Sequence, residues 1–226
     1  FNMVSFSGTF FAITKLPGFP TDRSVNWFMP LGLAMGSAFS GVAIGFSLIR
    51  DLENGFYDRL RISPTSRLSL VVGPIIATWV RVLLVSIIVL IAGFILGARP
   101  TSGVLSIITL ITAALGFSTI GAGWGLGLAY RFRDMRGAAI MQLSIFVTMF
   151  LSTAQVPLNV MTGWLHTVAR INPVTNIFRL ARAGWVNESS PDYMSWSNVS
   201  GGLLAIAVLS TLSLTFAIRS LRTLDK

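Results

Sequence analysis

The chain has 226 residues, of which 53% are hydrophobic and only 11% are charged, and its mean hydropathy is +0.74. Because about a quarter of the residues in soluble domains are charged, this composition excludes an ordinary soluble domain and indicates a membrane protein. The formal net charge of +9 would suit a nucleic-acid partner, but the basic residues fall in short clusters beside the apolar runs, as in membrane proteins, so we expect no nucleic-acid partner.

Apolar runs divide the chain into candidate transmembrane spans, since about 20 apolar residues cross about 30 Å of hydrocarbon. Residues 1–16 begin inside an apolar run without an initiator Met, so we expect the end of a first span in a truncated or partly ordered product. Five complete spans are predicted after it, at residues 25–49, 68–97, 102–130, 137–156 and 197–219. The sequence therefore predicts an all-α membrane protein with six spans in a single transmembrane domain, the first span being incomplete.

Basic residues indicate the orientation of these spans. If the spans alternate, three basic clusters share one side, and the short opposite loops hold only Lys15, Arg23 and Arg99. The positive-inside rule then places the insert at residues 50–67 and the tail at residues 220–226 in the cytoplasm. The three clusters are Arg50/Arg59/Arg61/Arg67, Arg131/Arg133/Arg136 and Arg219/Arg222/Lys226.

The insert at residues 50–67 is short, carries charges of both signs and lies between two apolar runs. It holds 7 of the chain's 25 acidic and basic side chains. Charges of both signs suit steering and register, and apolar side chains suit anchoring, so we expect a soluble partner to dock here. A solvated connecting loop is the alternative. The residues that we expect to take part are Asp51, Glu53, Gly55, Phe56, Tyr57, Asp58, Arg59, Leu60 and Pro64.

Arg81 lies near the middle of the predicted span at residues 68–97. A cation at that depth costs several kcal/mol unless it reaches water, a carbonyl group or a partner. Two interpretations stay open. Either the run is longer than one span and Arg81 reaches the cytoplasmic face, or the side chain is an internal anchor or a contact for an anionic substrate group.

Small residues recur at every fourth position in two of the predicted spans. Such rows allow helix backbones to approach closely where the hydrophobic effect offers no help. We expect packing within the chain, with a dimer interface or a moving surface as the alternatives. The rows are Gly32/Gly36/Ser40, Ser37/Gly41/Gly45, Gly121/Gly125 and Gly123/Gly127.

The segment at residues 157–186 is more than a simple loop. Asn172-Pro173 is typical of a helix start, with Asn as the cap and Pro at the first position. In the helix that follows, apolar residues share one face, and Arg179 and Arg182 point away from it. Two helices too short to span predict an external hairpin that lies in the outer interface or re-enters the membrane, as an anchor or as an exit gate. The candidate gate residues are Pro157, Trp164, Asn172, Pro173, Arg179 and Arg182.

Several kinds of chemistry are absent from the sequence. No acidic residue lies within a predicted span, which does not favour a proton- or sodium-driven transporter. The chain also lacks a P-loop, because neither Lys15 nor Lys226 follows a glycine. Cysteine is absent and His166 is the single histidine, which excludes disulfides and thiolate or histidine-rich metal sites. Energy for transport would therefore come from a partner.

Two motifs occur in a fixed order along the chain. The first spans residues 53–67 and reads ENGFYDRLRISPTSR. The second combines VPL at residues 156–158, GWL at residues 163–165 and NPVT at residues 172–175. Together with the order and spacing of the apolar runs, these motifs resemble the type-2 ABC exporter permeases, and within them the daunorubicin-resistance type of drug and lipid exporter subunit.

The resemblance implies a six-span subunit that binds no cofactor and pairs with a second permease copy or a homologue. It implies two copies of a separate ABC ATPase, which bind ATP and Mg and dock on a cytoplasmic coupling helix formed by residues 50–67. ATP-driven closure of the ATPase would then tilt the spans and alternate access. A hydrophobic drug or lipid substrate, contact with membrane lipid and a bacterial plasma membrane location are implied in the same way.

Three other classes of protein stay open. A polysaccharide or lipid-linked glycan exporter of the same superfamily would be recognised by stimulation of the ATPase by glycan. An intramembrane enzyme would need a catalytic pair, but His166 is predicted outside and Gly116-Phe117-Ser118 matches a serine-protease motif poorly, so we assign no catalytic residue. A structural or receptor membrane protein is the third class, which the lack of a copurifying ATPase would favour.

Overall fold

A computed structural model describes residues 2–15, 19–55, 69–187, 190 and 192–222. The regular elements within these residues are all helices, which confirms the predicted all-α class for this part of the chain. Besides a short 3-10 helix at Phe11–Lys15, they are α1 (Asn2–Thr9), α2 (Ser24–Glu53), α3 (Ser69–Ile95), α4 (Val104–Phe132), α5 (Met135–Phe150), α6 (Gly163–Ile171), α7 (Pro173–Arg182) and α8 (Trp196–Leu221).

Four of the described helices, α2, α3, α4 and α8, are long and apolar enough to cross a membrane. Each has at least 26 residues, so at about 1.5 Å per residue each exceeds the hydrocarbon thickness of about 30 Å. They overlap the predicted spans at residues 25–49, 68–97, 102–130 and 197–219. Helix α2 differs most, because it continues into the polar insert and ends at Glu53.

Two predicted spans correspond to shorter helices. Helix α1 has 8 residues and gives way to the 3-10 helix at Phe11–Lys15. Helix α5 has 16 residues and ends at Phe150, whereas the sequence predicted a span that continues to residue 156. Residues 151–156 form turns instead. Because α5 ends early, carbonyl groups in this segment lack helical donors. The side chains of Asn172 and Arg182 donate hydrogen bonds to them.

The chain forms two compact units. The first unit consists of Phe1–Met35, Leu83–Ala114 and Val147–Ile206, and the second of Gly36–Val82, Leu115–Phe146 and Ala207–Lys226. Helices α2, α3, α4, α5 and α8 each contribute residues to both units.

In the second unit, α2 and α4 touch through glycines. A β-carbon added to Gly45 would lie 2.7 Å from the carbonyl oxygen of Gly125, and one added to Gly121 would lie 2.5 Å from the carbonyl oxygen of Ala38. The two backbones are in direct contact because glycine leaves no side chain between them. The rows Gly41/Gly45 and Gly121/Gly125 therefore confirm the predicted packing within the chain.

Polar side chains and apolar clusters complete the second unit. Trp79 Nε1 donates to Thr119 Oγ1 at 2.8 Å and joins α3 to α4, and Trp124 Nε1 donates to Ser144 Oγ at 2.7 Å and joins α4 to α5. Side-chain hydrogen bonds between helices have this role where lipid offers no polar partner. One buried apolar cluster joins α3, α4 and α8 through Val71, Ile75, Ala122, Leu126, Tyr130, Ala217 and Leu221.

Candidate functional site

The two short helices predicted within residues 157–186 are present as α6 and α7, which meet at Asn172. The Asn172 side-chain oxygen accepts a hydrogen bond from the backbone N–H of Val174 at 3.0 Å, and Pro173 occupies the first position of α7. The local sequence explains this start, because Asn caps orphan N–H groups and Pro gives up a donor that the first helical turn leaves unpaired.

Asn172 also binds the end of α5. Its side-chain nitrogen donates to the carbonyl oxygens of Thr148 at 2.8 Å and Leu151 at 2.9 Å. Carbonyl groups in the last turn of a helix have no helical donor, so a side-chain amide there replaces the missing partner. One residue therefore starts α7 and satisfies the end of α5.

Arg182, at the end of α7, is the second link to the segment after α5. The guanidinium donates from Nη1 to the carbonyl oxygen of Thr153 at 2.6 Å and from Nη2 to that of Ala154 at 2.5 Å. The residue is 0% exposed. The sequence interpretation that Arg182 points away from the apolar face is therefore wrong, because its hydrogen-bond acceptors and its ring partner lie within the buried part of the first unit.

An aromatic ring and a carboxylate complete the surroundings of this cation. The Arg182 guanidinium carbon lies 3.5 Å from the centroid of the Trp27 ring, which is a close cation–π contact. The Trp27 indole N–H in turn donates to the carbonyl oxygen of Gln155 at 2.9 Å. Asp192 lies 3.8 Å from Arg182 Nη1 and 3.4 Å from Arg179 Nε, so both predicted gate arginines share this one acid.

Burial opposes the charge on both members of the Arg182–Asp192 pair, which lies outside the four candidate spans. Burial lowers the pKa of Arg182 to about 9, and the Asp192 carboxylate acts against that shift. Burial also raises the pKa of Asp192 above its usual value, against the attraction of Arg182 and Arg179. A pair of this kind stabilises the fold only while both partners are present, since either one alone is a buried, uncompensated charge.

A second polar joint lies where α7 ends. The Asn26 side-chain nitrogen donates to the carbonyl oxygens of Trp185 at 2.9 Å and Arg99 at 3.0 Å. Trp185 Nε1 donates to the carbonyl oxygen of Ser106 at 3.0 Å. Gly184, between α7 and Trp185, has a φ of +79°, a conformation that glycine adopts without strain. The first turns of α2 and α4 are thereby fixed to the end of the hairpin.

Of the six predicted gate residues, four take part in the polar joint at the hairpin. Asn172, Pro173 and Arg182 start α7 or bind the segment after α5, and Arg179 joins through Asp192. Pro157 is buried, and its side chain has no polar atom with which to join the network. Trp164 is 71% exposed on α6, away from the joint. Sequence reasoning missed Asn26, Trp27 and Asp192. The one local signal was the polar residue Asn26 at the start of an otherwise apolar helix.

The predicted docking residues fall into two groups. Asp51 and Glu53 are exposed in the last turn of α2, and Gly55 follows in a turn with a φ of +68°. A positive φ just past the last helical residue is a common way to end a helix. Phe56, Tyr57, Asp58, Arg59, Leu60 and Pro64 lie outside the described residues. Arg81 lies in the middle of α3 with its side chain exposed.

The sequence matches the family described as ABC-2 type transporter over residues 2–185. A protein of Porphyra purpurea named as transport permease ycf38 is 28% identical over 201 residues, which cover 84% of this chain and 68% of that protein.

Two relatives carry drug names. The Mycobacterium tuberculosis protein named as doxorubicin resistance ABC transporter permease DrrC is 26% identical over 155 residues, covering 68% of this chain and 56% of the relative. The daunorubicin resistance ABC transporter permease DrrB1 of Streptomyces coeruleorubidus is 22% identical over 164 residues, covering 72% and 58%. The chain therefore matches little more than half the length of these two proteins.

Proposed function

The chain belongs to the ABC-2 type transporter family and is a multi-pass membrane permease, and we propose that it is the transport subunit of an ATP-driven exporter. The family match over residues 2–185 is the observation that carries this proposal. A separate ABC ATPase, present in two copies, binds ATP and Mg, and the permease pairs with a second copy or a homologue. The drug-resistance names of two relatives support a hydrophobic drug as the substrate, and a lipid is the other substrate class that the family resemblance implies.

In this proposal the ATPase docks on residues 50–67, which the predicted six-span pattern puts on the cytoplasmic side. Residues 50–53 are the last turn of α2, so a separate coupling helix would begin only after the turn at Gly55. The exposed acids Asp51 and Glu53 support this site, because they end α2 with negative charge that a basic ATPase groove would attract. The turn at Gly55 supports this docking site as well, since α2 ends at Glu53 and the turn allows the chain to change direction after it.

Helix α2 offers a route for the movement that ATP drives. It is continuous from Ser24 to Glu53, so it carries Asn26 and Trp27 in its first turn and the two exposed acids in its last. Asn26 binds backbone beside the end of α7, and Trp27 stacks on Arg182. One helix therefore carries both the docking end and two of the residues that hold the hairpin.

The hairpin is the outer gate in this scheme. A helix that ends within an apolar region is tolerated only where protein groups satisfy its backbone, and Asn172 and Arg182 do this for the segment at the end of α5. Moving α7 would remove those donors together. In this proposal the gate is closed while these hydrogen bonds are formed and opens when they are released.

The charge pattern supports the proposed orientation, and the relatives support the proposed location. The basic clusters after α4 and at the end of α8 support a cytoplasmic C-terminus, and the kinship with bacterial drug-resistance permeases supports a bacterial plasma membrane.

Copurification with the ABC ATPase, followed by substrate-stimulated ATP turnover, tests the proposal. The double charge reversal Asp51→Lys with Glu53→Lys is expected to weaken ATPase association about tenfold or more while membrane insertion stays normal. Asp22→Lys reverses an exposed acid that is predicted to be external, so it is the matched control and should leave association unchanged. ATPase binding that is the same for the double variant and the control would contradict docking at this site.

A further inference from the structure

Arg81 is an exposed cation on an apolar helix surface. It is the thirteenth of the 27 residues of α3, so at about 1.5 Å per residue it lies about 18 Å along the helix from Ser69. Hydrocarbon is about 30 Å thick, which places this residue well within the lipid-embedded part of a spanning helix. Its neighbours on the helix surface, Leu84 and Ile88, are exposed by more than half.

A cation at this depth is costly unless it reaches water, a carbonyl group or an anionic partner. No ion pair of Arg81 is found among the described residues. A second copy of this chain would not supply a carboxylate either, because the sequences of α3, α4, α5 and α8 contain no acidic residue and the two acids of α2 lie in its last turn. The lipid phase is then the source of anionic groups that remains in contact with this surface.

The surface beside Arg81 leaves room for such a group. Ala77 and Gly73, one and two turns before it, are both exposed, and a β-carbon added to Gly73 would meet nothing within 4 Å. Helical side chains lean toward the helix N-terminus, so the long Arg81 side chain is directed along these two small residues. In the proposed orientation that is the direction of the cytoplasmic leaflet.

We propose that Arg81 binds the phosphate group of an acidic phospholipid drawn from the leaflet that faces the start of α3. A guanidinium forms paired hydrogen bonds to phosphate, which a point charge does not match. The lipid tails lie on the exposed apolar surface of Leu84, Val85 and Ile88, which follow Arg81 on the same face of the helix. This site depends on α3 spanning the membrane and does not depend on which substrate is transported or which ATPase is bound.

Native mass spectrometry of the purified full chain in detergent, titrated with phosphatidylglycerol or phosphatidylcholine, tests the site. Wild type is expected to retain phosphatidylglycerol in preference to phosphatidylcholine. Arg81→Gln should weaken phosphatidylglycerol binding about tenfold, and Arg81→Lys should fall between the two because it keeps the charge and loses the paired geometry. Arg99→Gln, which removes an exposed charge from the loop between α3 and α4, is the control and should bind as wild type does.

Equal phosphatidylglycerol binding by Arg81→Gln and wild type would overturn the proposal, as would an equal loss in the Arg99→Gln control. A change of oligomeric state in Arg81→Gln without a change in lipid binding would assign the surface to a protein partner instead. Insertion of the variant is expected to be normal, since replacing a cation by an amide lowers the cost of the membrane position. ATP turnover of each variant in complex with the ABC ATPase, measured on separate samples, keeps this result distinct from the test of the transport proposal.

Discussion

In the first unit, α7 is joined to the segment at the end of α5 by a buried cation and an amide, whereas in the second unit α2 and α4 touch through glycines. The first joint consists of charge and directed hydrogen bonds between groups that need partners. The second consists of close backbone contact that needs empty space. The hairpin joint is therefore expected to be destabilised when a side-chain group is removed, and the α2–α4 contact when a side-chain group is added.

The largest expected effect is at Arg182. Arg182→Leu leaves the buried Asp192 carboxylate with Arg179 as its remaining ion-pair partner and leaves two carbonyl groups without donors, so it should cost about 3–5 kcal/mol. The thermal midpoint of the purified protein in detergent measures this loss. Adding Asp192→Asn to the variant should restore part of the stability, because the stranded charge is gone.

Arg170→Leu provides the control for charge removal. Arg170 is an exposed arginine in the last turn of α6, so its replacement should change stability by no more than about 0.5 kcal/mol. A midpoint that is unchanged in Arg182→Leu, or equally lowered in both variants, would contradict the assigned role of the buried guanidinium.

Substitutions of Asn172 can separate its role as the cap of α7 from its hydrogen bonds to the end of α5. Asn172→Ala loses the helix cap and both bonds to α5, with an expected cost of about 1–3 kcal/mol. Asn172→Ser keeps a capping oxygen but cannot reach α5, so it should be less destabilised overall. Hydrogen exchange at residues 151–156 should nevertheless accelerate in both variants. Protection of that segment equal to wild type in Asn172→Ser would refute the link to α5.

Alanine substitution at two glycines of α2, Gly45 and Gly36, is expected to change stability in opposite directions. Gly45→Ala forces a β-carbon against the Gly125 backbone and should cost about 1–3 kcal/mol. Gly36→Ala lies on the same helix, where the added carbon meets nothing within 4 Å, and should stabilise by up to about 1 kcal/mol through helix propensity. Thermal midpoints that shift in the same direction would show that backbone contact does not control this helix pair.

The smallest expected effect is at Trp164. The indole is 71% exposed and lies apart from the polar joint, so Trp164→Ala should change the free energy of unfolding by no more than about 0.5 kcal/mol. A loss as large as that of Asn172→Ala, measured by the same thermal midpoint, would place this residue within the joint after all.

The sequence allowed prediction where the signal is local. Spacing alone revealed the glycine rows, and the order of Asn172 and Pro173 revealed a helix start, because both depend on residues within one or two turns. Arg182 was assigned to the wrong surroundings for the opposite reason. Its partners are Trp27, Asp192 and the backbone after α5, and only tertiary structure brings them together.

The end of α5 was missed for a related reason. The apolar run continues beyond Phe150 without a helix breaker before Pro157, so periodicity extends the span to residue 156. The helix ends earlier because donors from α7 and Asn172 satisfy the freed carbonyl groups. The docking residues from Phe56 to Pro64 stay a prediction from charge pattern and family resemblance.

Reconstitution into lipid vesicles tests the central claim most directly. Flux of a hydrophobic drug or lipid is measured with the permease alone, with the ABC ATPase added, and with both in the presence of ATP and Mg. We predict flux only with all components, and its loss in the Asp51→Lys with Glu53→Lys double variant but not in Asp22→Lys. Robust flux from the permease alone, without nucleotide, would contradict the account.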